Sequence, residues 1–119
     1  MRILLAILLA GCVHHDAGDD VSCTGPNPTF PTFDKTCERA DFCIVAFHTI
    51  NCCGTQVAIG ISDVERDRFM ADEARCEAQL PECDCAKAPT QAENGHTASD
   101  DSQIIVDCTP DRQCMTAAP

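Results

Sequence analysis

The chain has 119 residues, enough for one small domain, and it carries 11 cysteines and a formal charge of −11. Nucleic-acid phosphates repel a chain this acidic, so the composition excludes DNA and RNA as partners. Apolar residues are few beyond the N-terminus, so we expect disulfides to supply the stability that a thin core lacks.

The first eleven residues have the composition of a signal peptide. Arg2 precedes an apolar run at 3–10, which is too short to span a bilayer as a helix. The run leads into Leu-Ala-Gly-Cys at residues 9–12, which resembles the lipobox of bacterial lipoproteins. The resemblance implies that residues 1–11 are removed and that the thiol of Cys12 carries a diacylglycerol.

Lipid chains on Cys12 would anchor the protein to a membrane, because each buried methylene contributes about 0.8 kcal/mol. In enteric-type bacteria, an Asp after the acylated Cys favours retention in the inner membrane. Val13 occupies that position here, so the resemblance implies a place in the cell envelope at the outer membrane.

Cysteine parity agrees with lipidation of Cys12. An odd number of cysteines would leave one free thiol in an oxidising compartment. Without Cys12, ten cysteines remain, and we expect them to form five disulfides whose pairing the sequence leaves open. The ten are Cys23, Cys37, Cys43, Cys52, Cys53, Cys76, Cys83, Cys85, Cys108 and Cys114.

The rest of the chain divides into a tether and a domain. Residues 12–36 contain the lipidated cysteine and a polar, Pro-containing stretch, which predicts a flexible tether whose end Cys23 attaches to the domain. Residues 37–119 are predicted to form a disulfide-rich α+β domain. Within it, the apolar run at 42–50 and the run at 55–61 predict two strands of a hairpin.

A helix is predicted at 63–80 after the hairpin. Ser62 and Glu65 have the spacing of a capping box, and Pro81 would end the helix. One face of this helix should pack on the sheet, because three of its apolar residues lie within about 40° of one another at 100° per residue. They are Phe69, Cys76 and Leu80.

The C-terminal part completes the predicted sheet. After a loop at 81–102, we predict a third strand at 103–108 and a short return strand at 114–116. The predicted fold class is therefore α+β, with an antiparallel sheet of three to four strands and one helix packed on it.

The order of these features resembles small, cysteine-rich predicted lipoproteins of diderm bacteria over most of 37–116. The resemblance implies the layout above and no activity. It rests on Cys43 before an apolar strand, Cys52-Cys53-Gly54, Phe69-x3-Glu73-x2-Cys76, Cys83-x-Cys85, Val106-x-Cys108 and Cys114.

Cysteine pairs 52–53 and 83–85 are candidate thiolate ligands for zinc or copper. Structural zinc sites usually place two or more residues between paired cysteines, so this spacing instead favours disulfides to different partners. Asp84 lies between two of these cysteines and disfavours a reactive thiolate there.

Two polar stretches are candidate cation sites, and we expect both to be solvated. A flexible metal site has weak affinity because ordering it costs entropy, and the second stretch lacks the spacing of an EF-hand loop. We therefore predict no metal and no cofactor. The candidates are His14, His15, Asp16, Asp19 and Asp20 in the tether, and Glu93, Asn94, Asp100 and Asp101 in the loop.

His48 and Glu73 are the candidates for acid–base chemistry. Catalysis would need a nucleophile beside His48 and an acid to orient it, and no Gly-x-Ser-x-Gly motif is present. His48 is expected at a sheet surface. Glu73 lies on the buried stripe and needs a partner, either Arg39 or a backbone N–H. We expect both residues to be structural and the protein not to be an enzyme.

These observations favour a non-enzymatic, membrane-anchored envelope lipoprotein that presents a rigid acidic domain to another envelope molecule. The alternative is a secreted-type protease inhibitor or a small-ligand or metal binder. Residues 86–107 are long enough for an inhibitory loop, with Lys87 as the residue presented to a protease.

Overall fold

The computed structural model describes residues 21–23 and 28–119, and their fold is α+β. The central unit is an antiparallel hairpin of β1 (Cys43–Thr49) and β2 (Gln56–Ser62), paired from Cys43↔Ser62 to Thr49↔Gln56. The reversal at 50–55 follows from its side chains. Asn51 Oδ1 accepts hydrogen bonds from two N–H groups of the turn, and Gly54 adopts a φ of +81° that favours glycine.

The two faces of this hairpin are covered by different elements. On one face, Ala46 and Ile61 pack against Phe69 of helix α1 (Arg66–Glu77). On the other face, Val45 and Phe47 pack against small residues from the C-terminal half, and Cys43 forms a disulfide there. Both alternation sets of β1 are therefore covered, as the apolar run at 42–50 predicts.

Helix α1 is shorter than the predicted 63–80 and begins differently. A short 3-10 helix at Asp63–Glu65 precedes it, and the Ser62 side chain makes no capping hydrogen bond. The prediction of a capping box at Ser62 and Glu65 is therefore wrong. Ser62 ends β2, where its N–H donates to the Asp34 carbonyl, while Glu65 accepts from the N–H of Asp34 and pairs with Arg68.

The remaining strands differ from the predicted meander. Two short strands, β3 (Thr90–Gln91) and β4 (Thr97–Ala98), extend the sheet in the order β1-β2-β3-β4 and come from the predicted loop. The pairing of β2 with β3 is parallel, so the sheet is mixed rather than antiparallel. The predicted third and return strands form a separate antiparallel pair, β5 (Ile105–Cys108) and β6 (Cys114–Ala117).

Strand β6 crosses β2 at very close range. A Cβ on Gly60 would lie 2.8 Å from the backbone of Cys114, so no larger residue fits there without a shift. Beside this crossing, Thr116 is fully buried and its hydroxyl donates to the carbonyl of Ala58 over 2.8 Å. Because Gly60 has no side chain, the β5–β6 pair can pack this closely on the hairpin as a second layer.

Residues 28–36 belong to the domain rather than to the predicted tether. Phe30 and Phe33 pack with Phe69 over the helix-covered face of the hairpin, with ring centroids 5.9 and 5.3 Å from that of Phe69. The guanidinium of Arg68 lies over the Phe33 ring. Two aromatic rings thus hold a segment whose Pro content favours no regular structure.

Five disulfides connect these parts, with Cα–Cα distances from 5.2 to 5.9 Å. All ten cysteines beyond Cys12 are used, and the prediction of a disulfide-rich domain is confirmed. The pairs are Cys23–Cys76, Cys37–Cys108, Cys43–Cys114, Cys52–Cys83 and Cys53–Cys85.

Candidate functional site

The structure brings His48 and Glu73, the two predicted candidates for acid–base chemistry, into direct contact. His48 lies on the helix-covered face of β1, and its Nδ1 is 2.7 Å from Glu73 Oε2. The other oxygen of Glu73 accepts from the N–H of Thr49, also over 2.7 Å. A backbone N–H is thus one partner of Glu73, and His48 is a second that the sequence analysis did not pair with it.

The pair is largely shielded from solvent. The side chains of His48 and Glu73 are 14 % and 11 % exposed. The ring of Phe30 stacks on the imidazole at a centroid distance of 3.8 Å and an angle of 14°. The Cys23–Cys76 disulfide lies beside the imidazole. His48 is therefore covered, not displayed on an open sheet surface.

The His48–Glu73 pair connects helix α1 to strand β1. The nearest hydroxyl on β1, that of Thr49, donates to Glu77 over 3.1 Å, so it is not directed at the imidazole. Both oxygens of Glu73 are occupied by β1, one by the His48 side chain and one by the N–H of Thr49. The pair thereby fixes helix α1 against the strand, and we see in the described residues no nucleophile positioned beside it.

An open cavity of about 600 Å³ lies next to the turn of the hairpin. Its walls come from the turn, the end of α1 and the segment after the helix. The Cys52–Cys83 disulfide forms part of the lining, so the cavity is bounded by cross-linked backbone. Its polar lining includes Asn51, Gln56, Glu77, Glu82 and Lys87.

The candidate calcium ligands are engaged in separate interactions. Glu93 Oε2 accepts from the N–H groups of Gly60 (2.9 Å) and Thr116 (2.8 Å), and Glu93 pairs with Lys35. Asn94 exchanges two hydrogen bonds with the backbone of Ala118. These side chains hold the C-terminal strand in place, and their oxygens do not converge on a common point.

The other two candidates have lowered pKa values for local reasons. Hydrogen bonds from the hydroxyl and backbone N–H of Ser102 hold the pKa of Asp100 below its ordinary value. The buried Thr90 hydroxyl, 2.6 Å away, and then Lys87 lower the pKa of Asp101. Both carboxylates therefore serve the local fold instead of lying free in a solvated loop.

Most of the segment 86–107 is part of the fold, and its first residues, 86–89, remain exposed without regular structure. It contributes β3, β4 and the start of β5, and its Ala92, Ala98 and Ile104 are buried in a core cluster. Lys87 Nζ donates to Gln56 (3.1 Å) and Asp101 (3.0 Å). Lys87 therefore stays at the exposed surface while two side chains of the domain hold its ammonium group.

Several predicted site residues lie outside the described residues. They include the lipidation site Cys12 and the tether candidates His14, His15, Asp16, Asp19 and Asp20. The cysteines considered as thiolate ligands, at 52–53 and 83–85, instead form two disulfides that join the hairpin turn to the chain after α1.

Within residues 21–23 and 28–119, no helix has the length and apolar character needed to cross a bilayer. Comparison of the chain with protein-family models, with curated proteins and with solved structures finds no match.

Proposed function

We propose that this chain is a lipid-anchored, non-enzymatic protein of the cell envelope, attached through Cys12 and presenting a rigid acidic domain to another envelope molecule. The observation that carries the proposal is the set of five disulfides, which cross-link helix α1, strand β1, the hairpin turn and the β5–β6 pair. Such a set persists in an oxidising compartment and needs no cofactor to hold the fold.

The Cys23–Cys76 disulfide supports the anchoring part of the proposal. It attaches the chain to α1 at Cys23, eleven positions after Cys12. An extended chain spans at most about 3.6 Å per residue, so the domain would remain within about 40 Å of the lipid. An anchor of this length holds the domain near the membrane and leaves its surface accessible.

The contacts of the candidate acid–base and metal-binding side chains support the proposed non-enzymatic role. His48 and Glu73 hold α1 to β1, and Glu93 holds β6 to β2. The formal charge of −11 supports recognition by a basic surface, because charge complementarity speeds association and suppresses wrong partners.

Metabolic labelling with a clickable fatty acid tests the anchor. We expect the wild-type chain to be labelled and to partition with membranes, and Cys12→Ser to lose both properties because the acylated thiol is gone. Val13→Ser is the matched control, since it changes the adjacent residue and leaves the thiol. Persistent labelling of Cys12→Ser would contradict the proposal.

A further inference from the structure

The two outer edges of the β1–β2 hairpin are closed to different degrees. Along β2, each stretch of the edge has a partner. Strand β3 pairs at Val57, Glu93 accepts from the N–H of Gly60, and the Asp34 carbonyl accepts from the N–H of Ser62. The backbone donors on this side are therefore used within the domain.

The edge of β1 is closed only at its two ends. The N–H of Cys43 donates into the short helix before it, and that of Thr49 donates to Glu73. Because N–H directions alternate along a strand, those of Val45 and Phe47 also point away from β2. No backbone group within residues 21–23 and 28–119 pairs with them.

A half-enclosed groove of about 350 Å³ runs along this open edge, between β1 and α1, and we call it the β1 groove. The four consecutive residues 44–47 form its strand side, so backbone as well as side chains line it. The helix side contributes the apolar Phe69, Ala74 and the exposed Met70, and also Glu73, whose oxygens contact His48 and the N–H of Thr49. Arg66 and Glu77 stand at its two ends.

We propose that the β1 groove binds an extended, cationic segment of another envelope protein, which adds to β1 as an antiparallel strand. This inference rests on the proposed function and names the surface and the kind of partner involved. The open N–H and C=O groups of Val45 and Phe47 would hydrogen-bond the segment, while alternate apolar side chains fill the groove.

The charges around the groove specify the partner further. Helix α1 runs in the direction of β1, because Phe69 packs on Ala46 and Glu73 contacts Thr49. An antiparallel segment would therefore place its N-terminal end near Glu77, which favours Lys or Arg there. The formal charge of −11 favours a cationic segment and disfavours a second copy of this acidic chain.

The test is a binding titration of the purified full chain, with its disulfides formed, against a labelled peptide. The probe is acetyl-Lys-Lys-Val-Thr-Val-Thr-Val-Asp-amide, and fluorescence anisotropy measures its Kd. We expect saturable binding, and we expect Lys-to-Glu replacement in the peptide to weaken it about tenfold or more. Backbone N-methylation of one alternating set of residues should abolish binding, while methylation of the other set should not.

Matched protein variants locate the binding. Met70→Lys places a cation in the groove on an exposed side chain and should raise the Kd about tenfold. Met115→Lys makes the same change at an exposed position on β6 and should leave the Kd within about twofold. Val45→Pro removes one open donor without touching the β1–β2 ladder, and it should also weaken binding.

Three results would overturn the proposal. The first is no saturable binding up to about 1 mM peptide, the weak end of specific recognition. The second is equal effects of Met70→Lys and Met115→Lys. The third is a dimer in sedimentation that Met70→Lys dissociates, which would assign the edge to a second copy. Loss of the lipid anchor would leave this titration unchanged, because binding is measured in solution.

Discussion

Where two strands approach without pairing, a single polar side chain accepts the hydrogen bonds of their backbone N–H groups. Glu93 accepts hydrogen bonds from β2 and β6, two strands that approach too closely for side chains between them at Gly60. Its second oxygen pairs with Lys35, whose Nζ also donates to the carbonyl of Gly60 over 2.7 Å. One carboxylate thus satisfies two backbone donors that would otherwise be left without partners.

We expect Glu93→Ala to destabilise the protein by about 2–3 kcal/mol, because it leaves the N–H groups of Gly60 and Thr116 without their acceptor. For a domain of this size the melting temperature should fall by about 10 °C. Glu82→Ala is the control, since it removes the same charge from an exposed position. Thermal unfolding followed by circular dichroism measures both variants, and equal melting temperatures would contradict the role of Glu93.

The Asp101–Thr90 contact predicts a pH dependence. Hydrogen bonds from Thr90 and then Lys87 hold the pKa of Asp101 below its ordinary value of 3.8. The unfolded chain therefore binds a proton more readily, so this contribution is present above about pH 4 and is lost as the pH falls through the folded-state pKa. We expect the free energy of unfolding to decline in acid less steeply for Asp101→Asn than for wild type.

Urea unfolding from about pH 3 to pH 7 checks this expectation. Asp84→Asn removes a carboxylate of the same type from an exposed position and should keep the wild-type slope. An unchanged acid slope in Asp101→Asn would show that its contact with Thr90 does not govern the acid response.

At the scale of elements, apolar runs are what made the fold predictable. Strands β1 and β2 and helix α1 each contain such a run or stripe, and the sequence places them to within a few residues. Strands β3 and β4 have two residues each and no alternation that a pattern could reveal. Their pairing depends on contacts distant in sequence, as does the position of β5 and β6 in a second layer.

The sequence indicates the two residues of the candidate site, His48 and Glu73, but not that they contact each other. The helical stripe indicated that Glu73 would be buried and in need of a partner, but a helix and a strand 25 residues apart give no local sign that His48 is that partner. Phe30 was missed because Pro and polar residues around it indicated a tether. The available signal was two aromatic residues, at 30 and 33, in an otherwise polar stretch.

Phe30→Ala tests whether residues 28–36 belong to the domain. The ring stacks on His48 and packs against Phe69, so we expect its loss to destabilise the protein by about 2–4 kcal/mol. Phe42→Ala, at a more exposed ring, should cost much less. Chemical denaturation measures the two free energies of unfolding. A wild-type free energy of unfolding in Phe30→Ala would indicate that residues 28–36 are part of the tether.

At the scale of the whole molecule, the disulfides link segments far apart in sequence. Cys37–Cys108 and Cys43–Cys114 each join residues 71 positions apart and hold the β5–β6 pair to the start of the domain. Cross-links over long loops restrict the unfolded chain most, which offsets the small apolar core. The cysteine content predicts that disulfides stabilise the domain. It does not predict their connectivity, because ten cysteines allow hundreds of pairings and only the fold shows which cysteines lie close together.

Non-reducing peptide mapping of the exported protein determines whether the ten cysteines form these five cross-links. Intact mass with thiol alkylation should show five disulfides and no alkylated cysteine among the ten. The map should link Cys52 to Cys83 and Cys53 to Cys85 as separate pairs. Free thiols at these four positions, together with a metal ion lost on denaturation, would show that the four cysteines are metal ligands and not disulfides.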